Sequence, residues 1–189
     1  MATPTPSQTA GPFVSIGTAW ATAGANAGEE GSRPDVIPGS VVVSGKVFDG
    51  AGDPVGDAMM EFWQADAEGR FPPEAPPPWS GFARVLTAPD GSYRFVTVKP
   101  GAVPGASGES QAPHIDVSIF ARGLQQRLVT RAYFSDQGLA NATDPVLAAL
   151  PEAARATLVA EFETEEPRPA YRLDLWLQGE KETVFFAPW

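Results

Sequence analysis

Cysteine is absent from the 189 residues, histidine occurs once, at His114, and basic side chains are scarce, 13 against 23 acidic ones, for a formal charge of −10. Each shortage excludes something. Without Cys there is no disulfide framework, thiolate zinc site or cysteine nucleophile, so the core must hold by burial alone. One histidine rules out any metal site that draws two or more histidines from this chain. The acidic balance argues against nucleic acid, because phosphate binding needs clustered Lys and Arg. No stretch of about 18 consecutive apolar residues occurs, which argues against a membrane span, and no membrane partner is expected.

What the chain does have is turn formers. Its 19 Gly and 20 Pro make up about a fifth of the residues, against an average of roughly 12% for the pair. They carry no repeat period and are separated by clear apolar runs, which points to short strands joined by turns and not to disorder. With 43% hydrophobic residues, the length predicts one soluble domain.

From Met1 to Gly28 no side chain is charged, and the first cation is Arg33. A signal peptide needs a basic start and a continuous apolar core, whereas this stretch is broken by Pro4, Pro6, Gln8, Pro12 and Asn26. A cytoplasmic location is the expectation. Two readings of the stretch stand side by side. It is a terminal tail, or it is an arm whose Phe13, Val14, Ile16 and Trp20 are buried against its own domain or a partner. The expected organisation is an N-terminal arm over 1–39 and a single domain over 40–189.

Strand signals begin at Ser40. Ser40 to Asp49 is rich in Val, and the turn formers of Asp49 to Gly56 follow. Ala58 to Ala65 carries large groups on both faces, which predicts a central strand covered on each side. Gly69 to Ser80 holds Pro72, Pro73, Pro76, Pro77 and Pro78 and cannot be a strand or a helix interior. Gly81 to Thr87 and Ser92 to Val98 flank Ala88-Pro89-Asp90-Gly91, the pattern of a hairpin. Lys99-Pro100-Gly101 opens a loop to Gln111, and strands over Ile115 to Ala121 and Arg127 to Phe134 follow. One helix is expected between Asp144 and Phe162, because Pro151-Glu152 suits a start and Ala154, Leu158 and Phe162 recur four apart. Tyr171 to Gln178 and Thr183 to Phe186 close the pattern. The fold class is all-β, a sandwich of mostly antiparallel strands with one short helical excursion.

Reactive groups are few. His114 and Asp116 project from the same face of a strand and form either a two-ligand metal fragment or a histidine bonded within the sandwich. Asp49, Asp53 and Asp57 read as a calcium loop or as an ordinary turn. Arg131 stands in the otherwise apolar run Leu128 to Phe134. Its guanidinium is either the ion-pair anchor of a core acid or a cation aimed into a pocket for an anionic ligand.

Several segments together resemble the intradiol ring-cleaving dioxygenases. They are Thr5 to Phe13, Glu61-Phe62-Trp63-Gln64-Ala65-Asp66, Gly69-Arg70-Phe71, Thr97 to Gly101, Ala112-Pro113-His114-Ile115 and Tyr171 to Gly179. The resemblance spans nearly the whole chain in one order. It implies cleavage of a catechol between its hydroxyls at a ferric ion held by two Tyr and two His. The matching places here are Phe71, Val103, His114 and Asp116, so three of the four ligands are missing, and Gln111 replaces an Arg that helps to hold the catecholate. The resemblance therefore implies that this chain binds no metal and has no catalytic residue of its own. It implies an alpha-type chain assembled in a higher-order oligomer with a homologous beta chain that carries Fe(III), acting on protocatechuate and O2. By the same resemblance Thr9, Gly11, Pro12 and Phe13 of the arm, with Arg131, line the shared substrate pocket.

A second reading belongs to another class. Gly45-Lys46-Val47-Phe48-Asp49, Pro54-Val55, Asp90-Gly91-Ser92-Tyr93-Arg94-Phe95 and Pro100-Gly101 also occur in transthyretin-like and carboxypeptidase-regulatory-like sandwiches, which are non-enzymatic binding modules. That pattern covers only the first strands and explains neither the arm nor the run from Arg131 to Phe186.

Overall fold

A computed structural model of the chain describes residues 9, 11, 39–75, 80–105, 108–165 and 168–187. Along the chain the strands are β1 (Ser40–Phe48), β2 (Met59–Trp63), β3 (Phe82–Leu86), β4 (Ser92–Val98), β5 (Val103–Pro104), β6 (Ser110–Gln111), β7 (His114–Phe120) and β8 (Leu128–Phe134). A helical excursion follows, with a 3₁₀ turn at Ser135–Gln137 and then α1 (Gly138–Thr143), α2 (Pro145–Ala148) and α3 (Glu152–Ala156). The chain returns through β9 (Val159–Glu165), β10 (Arg168–Arg172) and β11 (Leu175–Trp176). The expected all-β class with a helical insertion is what forms.

The strands pair in the order β11-β1-β10-β9-β8-β7-β2-β3, with β4 on β1, and β5 and β6 form a separate short ribbon. Antiparallel pairs predominate; β1 with β10, β1 with β11 and β8 with β9 are parallel. The β4-β1-β10-β9 half packs on the β3-β2-β7-β8 half. Their inward residues make one core of Val41, Val43, Met60, Phe62, Phe95, Ile115, Val117, Ile119, Phe134 and Tyr171, among others. Period-two alternation explains the choice: on β7, Ile115, Val117 and Ile119 are buried and the residues between them turn outward. The outward group includes His114 and Asp116.

Three expectations are corrected. The turn at Ala88–Gly91 does form, with Gly91 N–H donating to the Ala88 carbonyl, yet it is not a hairpin. β3 pairs with β2, and β4 pairs with β1. Thr87 Oγ1 donates to the Val55 carbonyl at 2.8 Å and accepts from Ala58 N–H at 3.0 Å, while Val47 N–H donates to the Gly91 carbonyl. These bonds draw the two arms of the turn to opposite halves. The helix expected to reach Phe162 stops at Ala156, because the chain from Val159 joins β8 and β10 as a strand and leaves Phe162 49% exposed. On β2, Met60 and Phe62 enter the core; the second face is covered at Met59 but opens toward Trp63, which is 39% exposed. Pro76, Pro77 and Pro78 lie outside the described residues.

One contact shows how tightly the strands of the β4-β1-β10 half are drawn together. The registers Val42↔Ala170 and Val47↔Leu175 have the same offset, so β10 and β11 run as one interrupted strand past Gly45. A Cβ on Gly45 would lie 1.8 Å from the Leu173 carbonyl oxygen. That oxygen also accepts the hydroxyl of buried Tyr93 at 2.7 Å. Gly45→Ala should therefore lose roughly 2–4 kcal/mol of stability, since backbone must shift and a buried hydrogen bond breaks. Urea denaturation of the variant reads this loss, and a midpoint equal to the wild type refutes it.

Candidate functional site

The places singled out by the resemblance come from loops and strands that fold onto one end of β7. Asp66 builds the first loop: its carboxylate accepts from the backbone N–H groups of Glu68 and Arg70 and from Arg70 Nε at 2.9 Å. Burial raises the Asp66 pKa, but the bonds and charge of Arg70 outweigh it and hold the carboxyl below its usual range. The Asp66 carbonyl also accepts from Gly101 N–H, and Gly69, at a φ of +79°, sits where a Cβ would be 2.1 Å from the Ala102 oxygen. The loop leading to Phe71 is thus seated on the loop leading to Val103. Phe71 stacks on Trp63 with ring centroids 5.9 Å apart, and Trp63 is the cross-strand neighbour of Asp116. Val103 pairs with Gln111.

His114 and Asp116 share the outward face of β7, and the register of β8 sets Tyr133 opposite His114 and Arg131 opposite Asp116. Arg131 Nε donates to Asp116 Oδ1 at 2.9 Å, and its Nη1 donates to Gln111 Oε1 at 2.7 Å and to Tyr133 Oη at 3.4 Å. Tyr133 passes its own proton donation to Asp144 Oδ1 at 3.2 Å. Asp144, fully buried, caps α2 by accepting from Val146 and Leu147 N–H, and its other oxygen accepts from Ala112 N–H. The geometry gives Arg131 an ion pair with Asp116, the arginine side chain being 15% exposed and the aspartate 35%, so this acid is not a core one.

Burial, and next the charge of Arg131, hold the His114 pKa below the usual histidine value, against weaker raising effects from the Ala112 carbonyl, Asp116 and Asp144. His114 Nδ1 lies 2.7 Å from the Ala112 carbonyl and must donate to it. Nε2 of the neutral ring is therefore unprotonated, 3.9 Å from Asp116 Oδ1. Burial pushes the Tyr133 hydroxyl up to about 12, with Arg131 pulling the other way. Arg131 itself is desolvated, but Tyr133 and Asp116 more than offset this and raise its pKa. The site is a neutral histidine beside a fixed ion pair.

A ferric ion does not fit this donor set. Phe71 and Val103 offer no donor atom, and Asp116 is engaged by a guanidinium. Among the described residues no group of three or more His, Cys, Asp or Glu is gathered for a metal. Asp49 uses one carboxylate oxygen on Ala51 and Asp53 N–H, and Asp57 pairs with Arg122, so the aspartates of 49–57 form a turn.

Of the arm residues, Thr9 and Gly11 are described; Pro12 and Phe13 lie outside the described residues. Thr9 Oγ1 accepts from Gly123 N–H at 3.0 Å, just past the C-terminal end of β7, and Gly11 is exposed with open space around it. His114 opens the same strand, roughly 20 Å away at about 3.3 Å per residue. One chain therefore does not bring Thr9 together with Arg131. Gln111, Tyr133 and Asp144 join Arg131 in one network that spacing alone did not reveal. Asp144-Pro145 carried a readable signal, an N-cap residue followed by Pro at the first helical position.

Comparison with known proteins gives consistent answers. The profile of a dioxygenase family, described as "Dioxygenase", matches residues 19–179. The chain is 43% identical to the protocatechuate 3,4-dioxygenase alpha chain of Burkholderia cepacia, over 96% of both chains. It is 42% identical to the alpha chain from Pseudomonas putida, over 96% of this chain and 95% of that one. The beta chain of the Burkholderia cepacia enzyme is 40% identical over 76% of this chain and 66% of its own length. Among solved structures, the dioxygenase domain of a carbohydrate-binding fusion from Streptomyces sp. SirexAA-E superposes with a TM-score of 0.60 at 28% identity, covering 76% of this chain and 83% of that one. Catechol 1,2-dioxygenase from Pseudomonas arvilla C-1 shares the fold, with a TM-score of 0.62 at 19% identity over 76% of this chain and 54% of that one. The match from 19 to 179 reaches far past the strands of the non-enzymatic sandwich pattern, which is not favoured.

The buried histidine has a pH consequence. Its folded pKa is depressed, so between the unfolded value near 6.5 and the lower folded value the unfolded chain binds more protons. The stability contributed by neutral His114 is full above pH about 6.5 and is lost as pH falls through the folded pKa. Arg131, Asp116, Asp144 and Tyr133 face the ring, and Arg131 reinforces the effect. The chemical denaturation midpoint should fall from pH 7 to pH 5 in the wild type and fall less in His114→Gln; equal slopes would refute it.

Proposed function

The chain belongs to the intradiol dioxygenase family, and from that premise we propose that it is the metal-free alpha partner in a protocatechuate 3,4-dioxygenase. The observation that carries the reading is the donor set at one end of β7: the four places expected to hold iron are occupied by Phe71, Val103, His114 and Asp116. Likeness to alpha chains over 96% of the length supports it, and so does a homologous beta chain among the relatives. Ring cleavage in this family uses Fe(III), and the ion belongs to the beta partner, where it activates the catecholate toward O2. The complex converts protocatechuate and O2 to 3-carboxy-cis,cis-muconate in the cytoplasm.

This chain's part is to build and charge the pocket wall. Residues 1–39 are the arm, and 40–189 the sandwich domain. Thr9, Gly11, Pro12 and Phe13 line the partner's site. An arm anchored through Thr9 on Gly123, remote from its own His114, suits service to another chain. An uncharged arm also avoids the desolvation cost that charges would bring at an interface. Arg131 supplies a cation to the anionic substrate and the tricarboxylate product, which favours their entry or orientation. Arm and Arg131 come from opposite ends of β7 and so reach the cavity as separate elements. The alpha–beta pair assembles further into a higher-order oligomer.

The reading is tested by purifying this chain alone and co-expressed with a beta chain that carries the Tyr, Tyr, His-X-His set. The lone chain should hold less than about 0.1 iron per chain and cleave no protocatechuate, and the complex should hold about one iron per alpha–beta pair with full activity. Stoichiometric iron in the lone chain defeats the proposal, as does a beta chain equally active without it.

A further inference from the structure

We propose that Gln111 and Asp116 are positioning residues that aim Arg131, so that two places where the resemblance expects a catecholate-holding Arg and a metal-binding His instead form the cradle of a guanidinium. The inference rests on the reading above that Arg131 faces the anionic substrate.

An arginine side chain has donors and no acceptor, so whatever fixes it must present acceptors. The three acceptors around Arg131 come from three segments: Gln111 Oε1 on β6 at 2.7 Å, Asp116 Oδ1 on β7 at 2.9 Å and Tyr133 Oη on β8 at 3.4 Å. Tyr133 is in turn held by Asp144, so the cradle is anchored to a fully buried carboxylate. Nε and Nη1 are engaged, whereas Nη2 makes no hydrogen bond among the described residues. The planar group is thereby turned with one corner left to donate.

The residue types at 111 and 116 follow from this. The resemblance expects Arg at 111 and His at 116. A second guanidinium at 111 would stand at contact distance from Arg131 and repel it, and a neutral histidine at 116 would bring no charge to match it. Gln supplies an acceptor without charge, and Asp supplies one with the opposite charge. The Asp116–Arg131 pair is neutral at a distance, so it offers a substrate a fixed donor direction more than a field. Asp116 and Gln111 act on substrate only through Arg131.

The test is steady-state kinetics on the alpha–beta complex, with assembly of each variant checked by size-exclusion chromatography. Arg131→Ala should raise KM for protocatechuate about ten-fold with kcat within about two-fold, and Asp116→Ala should do nearly the same. Asp116→Asn keeps an oxygen for Nε but not the charge and should raise KM only about three-fold, as should Gln111→Ala, which removes one neutral acceptor. Asp116→Ala added to Arg131→Ala should change nothing further. A merely structural role would lower kcat or the yield of complex and would not be rescued by Asn. If Arg131→Ala raises KM but Asp116→Ala and Gln111→Ala do not, or if the effects multiply in the double variant, the positioning role falls and the pocket role of Arg131 stands. Unchanged kinetics in Arg131→Ala overturn both. Should Asp116→Ala fail to assemble, Gln111→Ala decides the matter, and a KM equal to the wild type overturns the proposal.

Discussion

The buried carboxylate of Asp144 is where the several parts of this chain are joined. It caps α2 through Val146 and Leu147 N–H, takes the N–H of Ala112 just before β7 and accepts the hydroxyl of Tyr133 on β8. A fully buried acid is costly unless its acceptor sites are filled, and here four donors from three segments fill them. Because those segments must converge on the carboxylate, the helical excursion is pinned against the end of the sheet. The turn through Ala112 and Pro113, which delivers His114, is pinned with it. The geometry on the outer face of β7 follows from that convergence.

On that face, the places where the resemblance expects metal ligands are filled by residues engaged with one another. Phe71 is stacked on Trp63, Val103 is paired into a short ribbon, and the polar residues close on one another through Arg131. The scaffold brings these positions to one end of β7 and fills them with residues that engage one another. Under the proposed function, a homologous partner with donors at those positions would use the same backbone for the opposite purpose.

The architecture was legible wherever a residue's role depends on its near neighbours. Alternation on β7 announced both the core residues Ile115, Val117 and Ile119 and the shared outward face of His114 and Asp116. Turn chemistry was also legible at Ala88–Gly91, but which strands the turn joins depends on Thr87 reaching Val55 and on Val47 reaching Gly91, contacts that no local pattern encodes. Ala154, Leu158 and Phe162 keep a helical spacing across a segment that becomes a strand because β8 and β10 offer it a ladder. The pairing of Arg131 with Asp116 needed the register between β7 and β8, a tertiary quantity. Both readings of Arg131 were in view from its apolar surroundings, and only that register chose the acid beside it.

The Asp116–Arg131 pair also constrains what either position can become. Placing histidine at position 116 alone would add one donor and strip a mostly buried arginine side chain of its counter-charge, which is more damaging than never having had the pair. Replacing Arg131 alone would cost less, because the Asp116 side chain it leaves behind is 35% exposed and keeps water as a partner. The two positions are therefore tied by an unequal bond: the arginine can be given up before the acid, and the acid cannot be given up before the arginine.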